Sequence, residues 1–328
     1  MHQRKIGPYT VSAIGLGCMG MSQSYGEADL AESERTLLGA LDAGYTLFDT
    51  AALYGFGHNE SLIGRVLGSR RREFTLASKC GLFKNDKGER TVDGSPATIR
   101  KTCEESLQRL KTDVIDIYYL HRIDRKVPVE DSVGALADLV RAGKIRTIGL
   151  CEMSTATLRR AHAVHPITVV QSEYSLWTRK PELKVLPLLR ELGIALVPYS
   201  PLGRGFLTGG LRDPAQLGEK DLRRTMPRFQ GDNFEKNLRM LDGLAAMAEE
   251  KGCTMAQLAL AWVLAQGWDI VPIPGTKRVK YMQENAAAAD MKLSAAECRR
   301  LEDIVSPVAI AGDRYDVAFA KTLDSETE

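Results

Sequence analysis

The sequence predicts an α/β fold: a single-domain, closed (β/α)8 barrel of the TIM type over residues 1–328, with an N-terminal cap and extra helices. Three observations carry this. Eight short apolar runs alternate with longer amphipathic ones, the pattern of a parallel sheet with helical crossovers. The runs are nearly continuously apolar, as strands buried on both faces should be. No stretch of the chain resembles a domain linker, so one barrel is the most economical reading of its length.

In chain order, strands are expected at AIGLGC (13–18), YTLFDT (45–50), FTLASK (74–79) and VIDIYYLH (114–121). Four more follow at IRTIGLC (145–151), ITVVQS (167–172), IALVPYS (194–200) and DIVPIPG (269–275). Helical patterns between them include ESERTLLGALDAG, SPATIRKTCEESLQRL, VEDSVGALADLVRAGK and PELKVLPLLRELG. Ser95 then Pro96 supplies an N-cap before a proline at the first helical position. Gly44, Gly143 and Gly193 stand where helices should stop. LIGRVLG is a further helix, and the basic run SRRRE (69–73) after it suits the negative end of its dipole. A long irregular insert, 202–237, follows the seventh strand; loops of this length in compact domains are functional or disordered. NLRMLDGLAAMAEEKG and TMAQLALAWVLAQG precede the last strand, SAAECRRLEDIV follows it, and a polar tail occupies 307–328.

A net charge of +2 gives no electrostatic ground for nucleic acid or an anionic membrane as the main partner. Six cysteines, at 18, 80, 103, 151, 253 and 298, form no C-x-x-C pair, so neither a zinc site nor a disulfide framework is indicated. His162 and His165, in HAVHP, read as loop residues beside a proline, not as metal ligands. The N-terminus has no apolar h-region, and no segment reaches ~18 uninterrupted apolar residues. The expectation is a cytoplasmic protein acting on small molecules.

Chemistry in such a barrel sits at the carboxyl ends of the strands. Strand two ends at Asp49, with Tyr54 just beyond; strand three ends at Lys79 and strand four at His121. A phenol is a poor acid near neutrality. A neighbouring ammonium, Lys79, should lower its pKa, and a carboxylate, Asp49, should hold that ammonium in place. His121 can orient a substrate carbonyl and help relay the proton. The set amounts to a proton donor aimed at a carbonyl oxygen, which a reductase needs as hydride arrives at carbon.

DTAALYG with the NE that follows, Lys79 in LASK, and DIYYLHR resemble the aldo-keto reductase family; QSEYSL, VPYSPLGRGFLTG and PIPGTKRVKYMQEN extend the resemblance over about residues 6–290. It implies a (β/α)8 barrel that binds NADP(H) in extended form without a Rossmann domain, with Asp49, Tyr54, Lys79 and His121 as the catalytic four. It also implies cofactor positions. Tyr199 stacks on the nicotinamide and Gln171 holds its carboxamide, while Ser200, Leu202 and Arg204 track the pyrophosphate. Gly275, Thr276 and Lys277 form the turn that takes the adenosine 2′-phosphate. Tyr281, Glu284 and Asn285 fall on ribose and adenine positions, and Met19, Asp49, Cys151 and Glu152 complete the set. Backbone N–H groups at a helix start, with Lys277 and Arg278, suit a phosphate dianion.

IGLGCMG also satisfies G-x-G-x-x-G with Gly15, Gly17 and Gly20. A Rossmann fingerprint must open directly into a helix, and here the polar MSQSYGEADLAES intervenes. Two departures from the family pattern stand out. Cys151 occupies a position that is often serine, which weakens a carboxamide contact because a thiol bonds less well than a hydroxyl. The tail after residue 306 is short and polar, so it is not expected to close the substrate site as it does in some branches. The leading function is an NADPH-dependent carbonyl reductase, reversible toward alcohol oxidation. The alternative is a cofactor-binding regulatory subunit like the potassium-channel β subunits, which carry asparagine where this chain keeps His121.

Overall fold

A computed structural model describes residues 1–84 and 90–326. The chain opens with an antiparallel hairpin, β1 (Gln3–Ile6) and β2 (Tyr9–Ser12). β3 (Leu16–Gly17), β4 (Leu47–Asp49) and β5 (Thr75–Cys80) begin the barrel wall. A second hairpin, β6 (Leu82–Lys84) and β7 (Arg90–Val92), follows. The wall continues with β8 (Ile115–Leu120), β9 (Ile145–Cys151), β10 (Ile167–Glu173) and β11 (Ala195–Tyr199). Seven parallel strands lie in the order β11, β10, β9, β8, β5, β4, β3.

The eighth stave, residues 269–275, closes the ring through parallel bridges from Ile270 to Leu196 and from Gly275 to Gly17. It forms no continuous ladder because Pro272 and Pro274 have no N–H to give. Their carbonyls still accept from Gly15 N–H (2.9 Å) and Gly17 N–H (3.3 Å), and Ile273 N–H donates to the Pro198 carbonyl (3.0 Å). Gly17 permits this approach, since a Cβ there would lie 2.8 Å from the Ile273 oxygen. The strand expected at 13–18 shrinks to β3 because it pairs on one side with this proline-broken stave.

Inward residues of the strands, among them Leu47, Ala77, Ile117, Val169, Val197 and Ile273, form one buried cluster with Ile6 and Val11 of the first hairpin. The hairpin therefore stoppers the amino end of the barrel, and the Tyr9 hydroxyl fixes it by donating to the Asp116 carbonyl (2.8 Å). A larger cluster lies between the outer strand faces and the helices, with Leu37, Ile63, Leu107, Leu136, Leu158 and Leu189 fully or nearly buried. Each such side chain contributes about 1.5–3 kcal/mol. Helix Pro96–Leu110 starts as expected, with Ser95 Oγ accepting from Thr98 N–H (3.4 Å). Gly193 caps helix Val185–Leu192 in the left-handed region (φ 67°).

Several expectations are corrected. His162 lies in the last turn of helix Thr155–Val164, where its Nδ1 accepts from Ile167 N–H (3.2 Å), rather than in a loop. The insert 202–237 is a series of single 3-10 turns, and its end already belongs to helix Gly231–Glu250. The arginines of 69–73 act through specific partners, not a dipole alone. Arg70 grips Glu73 (2.7–2.9 Å) and pairs with Asp42 (2.5 Å), while Arg71 pairs with Asp116 (2.6 Å). Among the described residues no helix is long and apolar enough to cross a membrane.

Candidate active site

The carboxyl ends of the strands surround a cleft of about 710 Å³. Asp49 ends β4, Lys79 lies one residue before the end of β5, and His121 follows β8 directly. Tyr54 sits in the turns between β4 and helix His58–Leu67. Lys79 Nζ donates to Asp49 Oδ1, to the Thr50 carbonyl (2.8 Å) and to the Tyr54 hydroxyl (3.3 Å). Gln171 Nε2 donates to the other Asp49 oxygen (2.8 Å). The rings of Tyr54 and His121 meet edge to face, centroids 5.9 Å apart. The four strand-end groups thus form one buried cluster.

Burial opposes the Lys79 charge, but Asp49 and Tyr54 outweigh it and hold the ammonium well above its usual pKa. For Tyr54 the balance runs against the sequence expectation. Burial pushes the phenol up to about 12, and the opposing pull of Lys79 recovers only part of that. The ammonium therefore does not make Tyr54 a strong acid. It leaves a phenol that is protonated at neutral pH, beside a cation ready to receive its anion.

Met19, Asp49, Cys151, Gln171, Tyr199, Ser200, Leu202, Arg204, Gly275, Thr276, Lys277, Tyr281, Glu284 and Asn285 all line the same cleft. Glu152 does not. Its buried carboxylate takes Arg314 (3.0 and 2.7 Å), Ser325 Oγ (2.5 Å) and the Glu173 N–H (2.9 Å). The Arg204 guanidinium is likewise committed, to Glu173 and the Tyr315 hydroxyl (both 2.6 Å). At the proposed phosphate turn, Val279 N–H donates to Glu32 (3.1 Å) and Arg278 N–H to Thr276 Oγ1 (3.1 Å). Two of the amides at this helix start are thus engaged, and the side-chain charges of Lys277 and Arg278 stand beside them. Lys277 Nζ spans to the carbonyls of Tyr25 (2.9 Å), Gly26 (3.2 Å) and Glu27. Cys151 borders the cleft as a buried thiol pushed up to about 11 by burial.

The tail, not expected to close the substrate site, does reach the cleft. Tyr315 and Phe319 line the cleft, and the Tyr315 hydroxyl lies 3.3 Å from that of Tyr199. Neither carries a signal in so polar a segment. Arg122, Tyr25 and Arg223 also line the cleft without having been singled out; Arg122, next to His121, falls under the same strand-end rule.

The aldo/keto reductase family model matches residues 13–306. The chain is 46% identical to "Aldo-keto reductase yakc [NADP(+)]" of Schizosaccharomyces pombe, covering 99% of this chain and 97% of that one. It is 44% identical to "Probable aldo-keto reductase 1" of Glycine max, covering 94% and 89%. Among solved structures, the glycerol dehydrogenase AKR11B4 from Gluconobacter oxydans superposes with a TM-score of 0.85 at 31% identity, covering 93% of this chain and 96% of that one. An aldo-keto reductase from Klebsiella pneumoniae in complex with NADPH gives 0.73 at 27%, covering 96% and 99%. This chain belongs to the aldo-keto reductase family.

Proposed function

We propose that this chain is an NADP(H)-dependent oxidoreductase that reduces an aldehyde or ketone to the alcohol, and runs the reverse oxidation, with Tyr54 as proton donor. The observation that carries the reading is the Lys79 ammonium held between Asp49 and the Tyr54 hydroxyl in a cleft that also reaches Lys277. The cleft fits the cofactor by its donor set. Gln171, bonded to Asp49, offers an amide and Tyr199 an aromatic face, while Lys277, Arg278 and Arg223 supply positive charge for phosphate elsewhere along it. The NADP(+) in the name of the fission-yeast relative and the NADPH of the K. pneumoniae complex support the same choice.

When bound, the nicotinamide supplies hydride to the carbonyl carbon. Tyr54 gives its proton to the carbonyl oxygen, and the phenolate left behind is stabilised by Lys79. Asp49 and the Thr50 carbonyl fix the ammonium, so it need not reorganise during the step. His121, set edge to face against the phenol, orients the carbonyl and helps return a proton to Tyr54. His121 is also what favours an enzyme over a regulatory subunit, because the set of four is complete. Loss of absorbance at 340 nm with NADPH and 4-nitrobenzaldehyde tests this. Turnover is expected; tight NADPH binding with no turnover of any aldehyde would support the regulatory reading instead.

A further inference from the structure

Three guanidinium groups lie in or near the cleft, those of the buried Arg122 and Arg204 and the half-buried Arg314, and two of them are matched. Arg204 pairs with Glu173 at 2.6 Å and Arg314 with Glu152 at 2.7 Å. Arg122 has no such partner. It is 7% exposed, lines the cleft directly after His121, and spends Nη1 on the His121 carbonyl (2.6 Å) and Cys151 Sγ (3.2 Å). The Glu152 carboxylate is near enough to be felt electrostatically, but both its oxygens are engaged by Arg314, Ser325 and the Glu173 amide. Among the described residues nothing accepts from Arg122 Nε or Nη2, and neither atom is sealed from solvent.

The vacant side matters because Nε and Nη2 form the edge that grips a carboxylate with two parallel bonds. The protein uses that edge elsewhere. Arg160 holds Glu130 through it at 2.7 and 2.7 Å, and Arg179 holds Glu182 at 2.9 and 2.8 Å. The Glu152 carboxylate, already bonded to Arg314, offsets the Arg122 charge only from a distance, so the open edge of Arg122 is a place where the cleft can take an anion. Apolar walls from Leu53, Leu82 and Phe319 offer room for a hydrocarbon body.

We propose that Arg122 selects carbonyl substrates that carry a carboxylate, gripping it through Nε and Nη2 while the aldehyde or ketone faces Tyr54. This deepens the reductase reading above and rests on it. Arg122 is then a specificity residue for the substrate's second functional group, and its contribution falls on KM more than on kcat.

The test uses two matched pairs, 4-carboxybenzaldehyde with methyl 4-formylbenzoate, and succinic semialdehyde with its methyl ester, each with saturating NADPH. Wild type should prefer the acid in at least one pair, by roughly 10- to 100-fold in kcat/KM, the range of a charge-assisted contact. Arg122→Leu should cut that acid-to-ester ratio at least ~10-fold, chiefly through KM, and Arg122→Lys should restore part of it. Wild type favouring the ester in both pairs, or a ratio unchanged in Arg122→Leu, would overturn the proposal. So would a Leu variant that loses NADPH affinity and both substrates together, since Arg122 would then belong to the cofactor. Should Arg122→Leu not fold, wild-type inhibition decides: benzoate should compete with methyl 4-formylbenzoate at least ~10-fold better than benzamide does. Equal inhibition would count against the carboxylate site. Failure to oxidise NADPH with all four aldehydes would instead remove the reductase reading itself.

Discussion

On the proposed mechanism, Lys79 shows how one side chain serves stability and chemistry together. It is 1% exposed, and three acceptors hold its ammonium. Removing it leaves Asp49 as an uncompensated buried carboxylate, so Lys79→Met should cost about 3–5 kcal/mol of unfolding free energy in urea. Adding Asp49→Asn should recover most of that stability and none of the activity, because the phenolate at Tyr54 still has no cation. Equal stability of the single and double variants would show the two charges uncoupled. At this scale the strand-end groups were legible from sequence, since each sits where a strand stops and the residue types imply a proton donor with its support. The partners of Arg204 were not. Glu173 and Tyr315 lie 31 and 111 residues away in sequence, and no local pattern signals such a contact. The direction of the Tyr54 shift was also beyond the sequence, because it depends on how deeply the ring is buried.

At the scale of elements, the last stave and the turn after it were legible as DIVPIPG and GTKR, but not how they pair. Pro272 and Pro274 interrupt the ladder, so closure depends on carbonyls and on Gly17. The turn places Lys277 against the carbonyls of the 25–27 loop, a contact a single dianionic phosphate can outbid. Lys277→Ala should weaken NADPH binding roughly 10- to 150-fold and leave NADH nearly unaffected, measured by fluorescence titration. Equal losses for both cofactors would show that Lys277 does not read the 2′-phosphate. The tail gives a pH-dependent case. Burial alone would raise Glu152, but Arg314, Arg122 and Ser325 hold its carboxyl far below the usual range. Its unfolded value is about 4.3, so its contribution is complete above that pH and disappears as pH falls toward the folded value. Urea unfolding should therefore find Glu152→Gln less stable than wild type at neutral pH, with a gap that narrows below about pH 4. A gap independent of pH would mean Arg314 does not hold the tail through this carboxylate.

The whole molecule is a barrel stoppered at its amino end by a hairpin and crossed at its carboxyl end by its own tail. The overall plan was legible because the period of the apolar runs changes between strands and helices. The tail's return to Tyr199 was not, because its composition is polar and its contacts are few and distant. On the proposed function, one cleft serves both the dinucleotide and the reacting carbonyl, with Tyr54 as the proton donor between them. The most direct measurement compares wild type with Tyr54→Phe for NADPH oxidation by 4-nitrobenzaldehyde, with NADPH affinity titrated on the same preparations. The account predicts a fall in kcat of at least ~10²-fold and little change in NADPH affinity. A variant retaining more than about a tenth of wild-type kcat would contradict it, since a positioned general acid is worth more than that.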